Sequence, residues 1–179
     1  MFPIAILSIL GIVVLYLGFA KSKSILLPAT LLSLLLAFVG NFVEWSDGPL
    51  LYFYGMLAVN KLTMVFNAIV LLAAFWVVAL SRGFQDDPDA QPAEYYAVML
   101  FSLVGAFMMI AYEHLIMLFV GIETLTVAMY ILTGTDKRNL RSNEAALKYF
   151  LMGAFMAGIM LFGIALLYGA TGSFSITQI

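Results

Sequence analysis

The sequence predicts an all-α membrane protein of six transmembrane helices, and three observations predict it. Hydrophobic residues make up 64% of the 179 positions and charged residues only 10%, against about half and about a quarter in a soluble domain. Mean hydropathy is +1.07, and a water-soluble core could not bury so much Leu, Ile, Phe and Met without leaving large apolar patches exposed. The apolar residues also fall into six runs close to the roughly 20 residues that a helix needs to cross a bilayer.

The runs are residues 2–20, 25–43, 62–80, 95–112, 115–132 and 145–168, and together they predict a single transmembrane bundle over 1–179. Pro3 and Pro28 stand in the first turns of their helices, where a missing N–H costs little. The first run is not a cleaved signal: no Lys or Arg precedes it, its apolar stretch is too long, and Lys21 and Lys23 follow it. Residues 44–60 hold Asp47-Gly48-Pro49 and the aromatics Tyr52, Phe53 and Tyr54, a mixture that predicts a loop at the membrane–water boundary. Residues 85–92, with three aspartates and two prolines, predict a second loop, in water. The last run ends at the helix-breaking Gly-Ala-Thr-Gly-Ser of residues 169–173.

Positively charged short loops are retained in the cytoplasm. Alternate loops place Lys21, Lys23, Arg82, Lys137, Arg138 and Arg141 on one side and Lys61 on the other, so both ends of the chain are expected on the non-cytoplasmic side. Trp45 fits a headgroup anchor near the non-cytoplasmic boundary, and Trp76 lies near the cytoplasmic end of the third span.

The sequence has no cysteine and a single histidine, His114. It therefore cannot by itself supply a four-thiolate iron–sulfur site, a Cys-rich zinc site or paired haem histidines. No metal site and no cofactor are expected on this chain. The net charge is −2, and the basic residues are scattered among loops without the contiguous patch that a nucleic-acid binder needs. The partner that composition does predict is the lipid bilayer.

The charges inside the apolar runs carry the functional signal. Glu123, in LFVGIETLTVAMY, falls about 12 Å from either end of its run at 1.5 Å per residue. A charge at that depth costs at least about 2.5 kcal/mol and usually faces a bundle interior or a watery path. The alternative is a protonated structural Glu bonded to a neighbouring helix. Glu144 and Lys148, at i and i+4, share a helix face and can pair. They serve either as a simple ion pair with Lys148 reaching to the headgroups or as part of a relay. Lys148 differs in depth from Glu123 by roughly 8 Å, so a direct Glu123–Lys148 bridge is not expected, and water or hydroxyls such as Thr124, Thr126 and Tyr149 would have to connect them. Glu113 and His114 occupy the short turn between the fourth and fifth spans, as solvated turn residues or in a proton exit. Gly153, Ala154, Ala157, Gly158 and Gly163 give the sixth helix a small-residue surface suited to close helix contact.

Residues 94–175 resemble subunit N of NADH-quinone oxidoreductase, respiratory complex I, called subunit 2 in mitochondria. The resemblance rests on EYYAVMLFSLVGAFMM, LFVGIETLTVAMYILTG, DKRNLRSNEAALKYFLMGAF and FGIALLYGATGS, in that order; the first three spans match only in general character. It implies that the chain is the first part of an antiporter-like complex I subunit. It assigns Glu123 to the proton pathway by its place in GIETL, with Glu144 and Lys148 as the family's charged pair at the start of the sixth helix. It further implies proton pumping coupled to NADH-to-quinone electron transfer in a bacterial inner membrane. Flavin, iron–sulfur clusters and quinone, and hence redox catalysis, are expected on other subunits, with the remaining membrane-arm subunits as partners. The family's later lysine on a broken seventh helix and its second inverted repeat are absent from this sequence, which leaves the partner of Glu123 unassigned. Two other readings stand beside this one: a homologous subunit of a cation/proton antiporter complex or membrane-bound hydrogenase, and a non-transporting membrane scaffold in which Glu123 locks helix packing.

Overall fold

A computed structural model describes residues 1–19, 23–43, 48–85 and 91–179. Expectations resting on Ala20, Lys21, Glu44, Trp45, Asp47 and the acidic residues 86–90 lie outside the described residues.

Six long helices follow the six apolar runs: α1 (Phe2–Leu17), α2 (Leu26–Val43), α3 (Lys61–Leu80), α5 (Pro92–Ile110), α6 (Leu115–Thr133) and α7 (Leu140–Thr171), with a one-turn α4 (Arg82–Gln85) after α3. The last five of the long helices, α2, α3, α5, α6 and α7, have the length and apolar character to cross a membrane. Helix α1 is equally apolar but 16 residues long, about 24 Å; it ends at Leu17, short of the expected 20. Helix α7 begins five residues earlier than expected and runs for 32 residues, about 48 Å. A hydrocarbon core of about 30 Å cannot contain it, so its first turns extend past the membrane. Asn139 caps that early start by accepting from the Arg141 N–H at 3.0 Å.

The core is built by α1, α2, α3 and α5, around Leu7, Val14, Leu34, Leu71, Tyr96 and Phe107. Helix α6 packs on α5, and α7 packs on α6 at the outside of the row. Ile164 is the one buried residue of α7, so most of that helix presents apolar side chains outward.

The segment expected to be a loop at 44–60 contains a hairpin instead. Strands β1 (Leu50–Tyr52) and β2 (Leu57–Val59) pair antiparallel, with Leu50 opposite Val59. Phe53 and Tyr54 turn the chain at φ 51° and 56°, followed by Gly55 at φ 84°. Bulky residues are rare in that left-handed region, so sequence patterning gives no signal for this turn. Beyond β2 the ladder continues: Ala58 N–H donates to Ala111 C=O at 2.7 Å, Glu113 N–H to Met56 C=O at 3.0 Å and Leu115 N–H to Phe174 C=O at 2.9 Å. The hairpin thus ties the start of α3, the α5–α6 turn and the end of α7 into one hydrogen-bonded platform, here called the hairpin end. The opposite end of the bundle carries Arg82, Lys137, Arg138 and Arg141 and is called the basic end.

A second feature escaped the sequence patterning. Asn41 of α2 and Asn67 of α3 are both buried, and Asn41 Nδ2 donates to Met64 C=O at 2.8 Å while Asn67 Nδ2 reaches Asn41 Oδ1 at 3.4 Å. Polar side chains bonded between apolar helices are a recurrent form of membrane helix adhesion.

Candidate functional site

Glu123 stands eight residues after Leu115 and ten before Thr133 on α6, about 12 Å and 15 Å from the two ends. The residue is half-buried and lines an open-sided, largely apolar crevice of about 420 Å³ along α5 and α6, with Val98, Phe101, Thr124, Val127 and Ile131. Among the described residues no ion pair or hydrogen bond engages its carboxylate.

Helices α5 and α6 meet backbone to backbone around Gly105, Gly121 and Leu125. A β-carbon on Gly105 would stand 2.7 Å from the Gly121 carbonyl oxygen and 2.6 Å from Leu125 N, so only glycine permits that backbone contact. Glu123 lies two residues from Gly121 towards the basic end, and the crevice is lined from there to Ile131. Glu123 thus stands between Gly121 and Leu125, the two residues of α6 that touch Gly105.

Lys148 Nζ lies 2.5 Å from Glu144 Oε1, the expected i,i+4 pair, with both side chains largely exposed. The hydroxyls offered as connectors to Glu123 are bonded within their own helix: Thr124 Oγ1 donates to Val120 C=O at 2.8 Å and Thr126 Oγ1 to Ile122 C=O at 2.9 Å. Tyr149 packs edge-on against Tyr130. Neither a direct bridge nor a side-chain chain joins Glu123 to Lys148 among the described residues.

Glu113 and His114 lie at the hairpin end, and they are more than a solvated turn. Both are half-buried; His114 precedes α6, bridges to Ser175 and sits against the Phe174 ring at 5.6 Å between centroids. Its Nδ1 is buried without a hydrogen-bond partner.

Of the three glycines on the small-residue surface of α7, one makes a close contact. Tyr130 of α6 lies over Gly153, where a β-carbon would overlap its hydroxyl, whereas Gly158 and Gly163 meet no atom within 4 Å. The expected close contact therefore holds at Gly153, and Ala154 and Gly158 are exposed.

A polar cluster at the basic end was not anticipated. Lys137, in the loop after α6, lies 3.0 Å from Gln91 Oε1 and 3.2 Å from Glu94 Oε2 at the start of α5. The motif around it fixes the loop: Ser142 Oγ donates to Thr133 C=O at 2.8 Å and Asn143 Nδ2 to Lys137 C=O at 2.9 Å. Each residue is visible in the sequence as a loop or helix-start residue, but their meeting across 43 positions is a property of the fold.

Residues 112–179 match the transmembrane family of NADH:quinone oxidoreductase and Mrp antiporter proteins. NADH-quinone oxidoreductase subunit N of Flavobacterium psychrophilum is 38% identical over 97% of this chain and 38% of its own length. The subunit N of Cytophaga hutchinsonii is 37% identical over 98% of this chain and 38% of its own length. Among solved structures, a chain of respiratory complex I from Thermus thermophilus with bound aureothin superposes with a TM-score of 0.81 at 34% identity, over 97% of this chain and 38% of that one. The chain belongs to the NADH-quinone oxidoreductase and antiporter membrane family. Family membership accounts for the row of apolar helices and makes this a multi-pass membrane protein. The family's fold also serves another respiratory assembly: a chain of an archaeal membrane-bound sulfane sulfur reductase superposes with a TM-score of 0.83 at 25% identity, over 97% of this chain and 37% of that one. The chain spans a little over a third of the length of these family members.

Proposed function

We propose that this chain is the first part of a proton-translocating membrane-arm subunit of an NADH-quinone oxidoreductase, with Glu123 as a proton-carrying residue. The observation that carries the reading is an unpaired carboxylate at mid-depth of an apolar helix, in a chain 38% identical to a subunit N over 97% of its length. Such a group is costly to keep in a membrane and is usually retained where charge or protons move. A lysine ammonium approaching the carboxylate to 4 Å would contribute about 4 kcal/mol at an effective dielectric of 20. An arriving or departing lysine can therefore drive the uptake or release of a proton at Glu123. Glu144 and Lys148 form the charged pair beside this route at the basic end, and Glu113 and His114 stand at the opposite end, where protons would leave.

On this reading the basic end faces the cytoplasm and the hairpin end faces outward across a bacterial inner membrane. Electron transfer belongs to other subunits, which hold the flavin, the iron–sulfur clusters and the quinone. This chain contributes no redox group. The sulfane sulfur reductase likeness keeps a second respiratory complex in view, but its 25% identity is lower than the 34% to complex I, which favours the NADH-quinone reading.

Purification of the native complex through a tag on this polypeptide tests the assignment. Flavin and iron–sulfur subunits with NADH-to-quinone electron transfer should accompany it. Purification with a hydrogenase or sulfur reductase, or without redox subunits, would contradict it.

A further inference from the structure

At the hairpin end, three aromatic rings join α6 to α7. Phe174, just beyond α7, stacks on Tyr168 of the last helical turn at 4.1 Å between centroids and 9° between planes, and it lies 5.6 Å from the His114 ring at the start of α6. Gly172, at φ 72°, ends α7 and turns the chain there. Two backbone bonds flank the rings: Leu115 N–H donates to Phe174 C=O at 2.9 Å and Ile176 N–H to Glu113 C=O at 3.1 Å. The first satisfies one of the free N–H groups that open a helix. His114, the N-cap of α6, makes no capping bond with its own side chain.

A proton added to His114 has no place in this tie. Nδ1 is buried and without a hydrogen-bond partner. In a neutral imidazole one ring nitrogen carries no hydrogen, whereas in the imidazolium both do, and a buried charged N–H that lacks an acceptor is costly. The ring also stands at the positive end of the α6 dipole. Cation–π attraction to Phe174 works the other way, but it is worth less than a charged hydrogen bond left unmade. The other titratable groups of the platform are Tyr112 and Glu113 in the same turn, Tyr168 on α7, the tyrosines of the hairpin and Lys61 at the head of α3; Glu44 and Asp47 lie outside the described residues. No ion pair engages His114 or Glu113 among the described residues, so no countercharge holds an imidazolium there.

We propose that His114, Phe174 and Tyr168 form a latch between α6 and α7, closed while His114 is neutral and released when His114 takes up a proton from the water at the hairpin end. The opened form accepts the proton and the closed form does not, so falling pH shifts the balance towards the open form. The latch stands on the rings and hydrogen bonds alone. Its regulatory meaning rests on the proton-carrying role of Glu123: protons delivered to the outer side loosen the foot of the helix that carries Glu123, and the pump senses the load that it has built.

Backbone hydrogen–deuterium exchange of the assembled complex in lipid tests this, followed by mass in segments 112–116 and 173–177. Samples run from about pH 8 to about pH 5, the range in which histidine changes charge, and each rate is divided by the chemical exchange rate at that pH. Segment 134–139 at the basic end serves as the internal reference. In the unsubstituted protein, protection of both hairpin-end segments should fall by about five- to tenfold on acidification, the lower range of what a buried donor without an acceptor costs, while the reference holds. His114→Phe keeps a ring against Phe174 but takes no proton, and His114→Gln takes none either. Protection in both variants should be independent of pH, and Glu113→Gln should leave the fall in place.

A flat profile in the unsubstituted protein, an equal fall in either His114 variant, an equal fall in the reference segment, or loss of the fall in Glu113→Gln would each overturn the latch. Exchange does not depend on pumping, so the two readings fail separately. A flat profile with pumping lost in Glu123→Gln removes the latch alone, whereas a latch that opens as described with normal pumping in Glu123→Gln removes the proton role alone.

Discussion

Gly121 of α6 rests on Gly105 of α5 so closely that a β-carbon at position 121 would stand 3.0 Å from the Gly105 carbonyl oxygen and 2.9 Å from Met109 Cγ. Glu123 follows two residues later on α6. Overpacking of this kind costs about 1–3 kcal/mol, and here the obstruction is backbone, which cannot rotate aside. Gly121→Leu is expected to lower the amount of assembled subunit in the membrane several-fold, read by native gel against Gly121→Ala as the milder case. Equal assembly of the Leu variant and the unsubstituted protein would mean that the two helices do not need this contact.

Asn41 joins α2 to α3 through the Met64 carbonyl and Asn67. Interhelical hydrogen bonds within membranes contribute about 0.6–2 kcal/mol. Asn41→Leu should reduce stability by about that amount in mixed-micelle unfolding, and Asn67→Leu combined with it should cost less than the sum of the single changes, because the two share one network. Strict additivity would show that they act independently.

These two contacts mark where sequence reading succeeds and fails. Apolar runs of bilayer length identify the six long helices because hydrocarbon leaves a backbone few other options, and the spacing of Glu144 and Lys148 gives their pair directly. The depth of Glu123 is likewise a matter of counting residues. The hairpin at 50–59 was hidden because its strands are three residues each and its turn places Phe53 and Tyr54 at positive φ, against their usual preference. Which faces of α5 and α6 meet was not legible either, since both helices are apolar all round and lack the one-sided stripe that points to a core. The meeting of Gly105 with Gly121, the crevice beside it and the contact of Lys137 with Gln91 and Glu94 therefore became visible only with the fold.

Glu144→Gln separates pairing from proton handling. An exposed i,i+4 ion pair is worth about 0.3–0.5 kcal/mol, so the variant should assemble normally and unfold within that margin of the unsubstituted protein. If Glu144 and Lys148 take part in proton transfer, proton translocation per electron should nevertheless fall in reconstituted vesicles. Unchanged translocation at normal assembly would leave the pair a surface contact only.

The central claim is that Glu123 carries protons, and it is tested most directly by measuring protons moved per electron in vesicles reconstituted with the assembled complex bearing Glu123→Gln. Glutamine keeps the size and polarity of the side chain but cannot take up and release a proton. Normal assembly with a clear fall in protons moved per electron, and recovery in Glu123→Asp, is the predicted result. Normal assembly with the ratio and the quinone reduction rate both unchanged in Glu123→Gln would contradict the account.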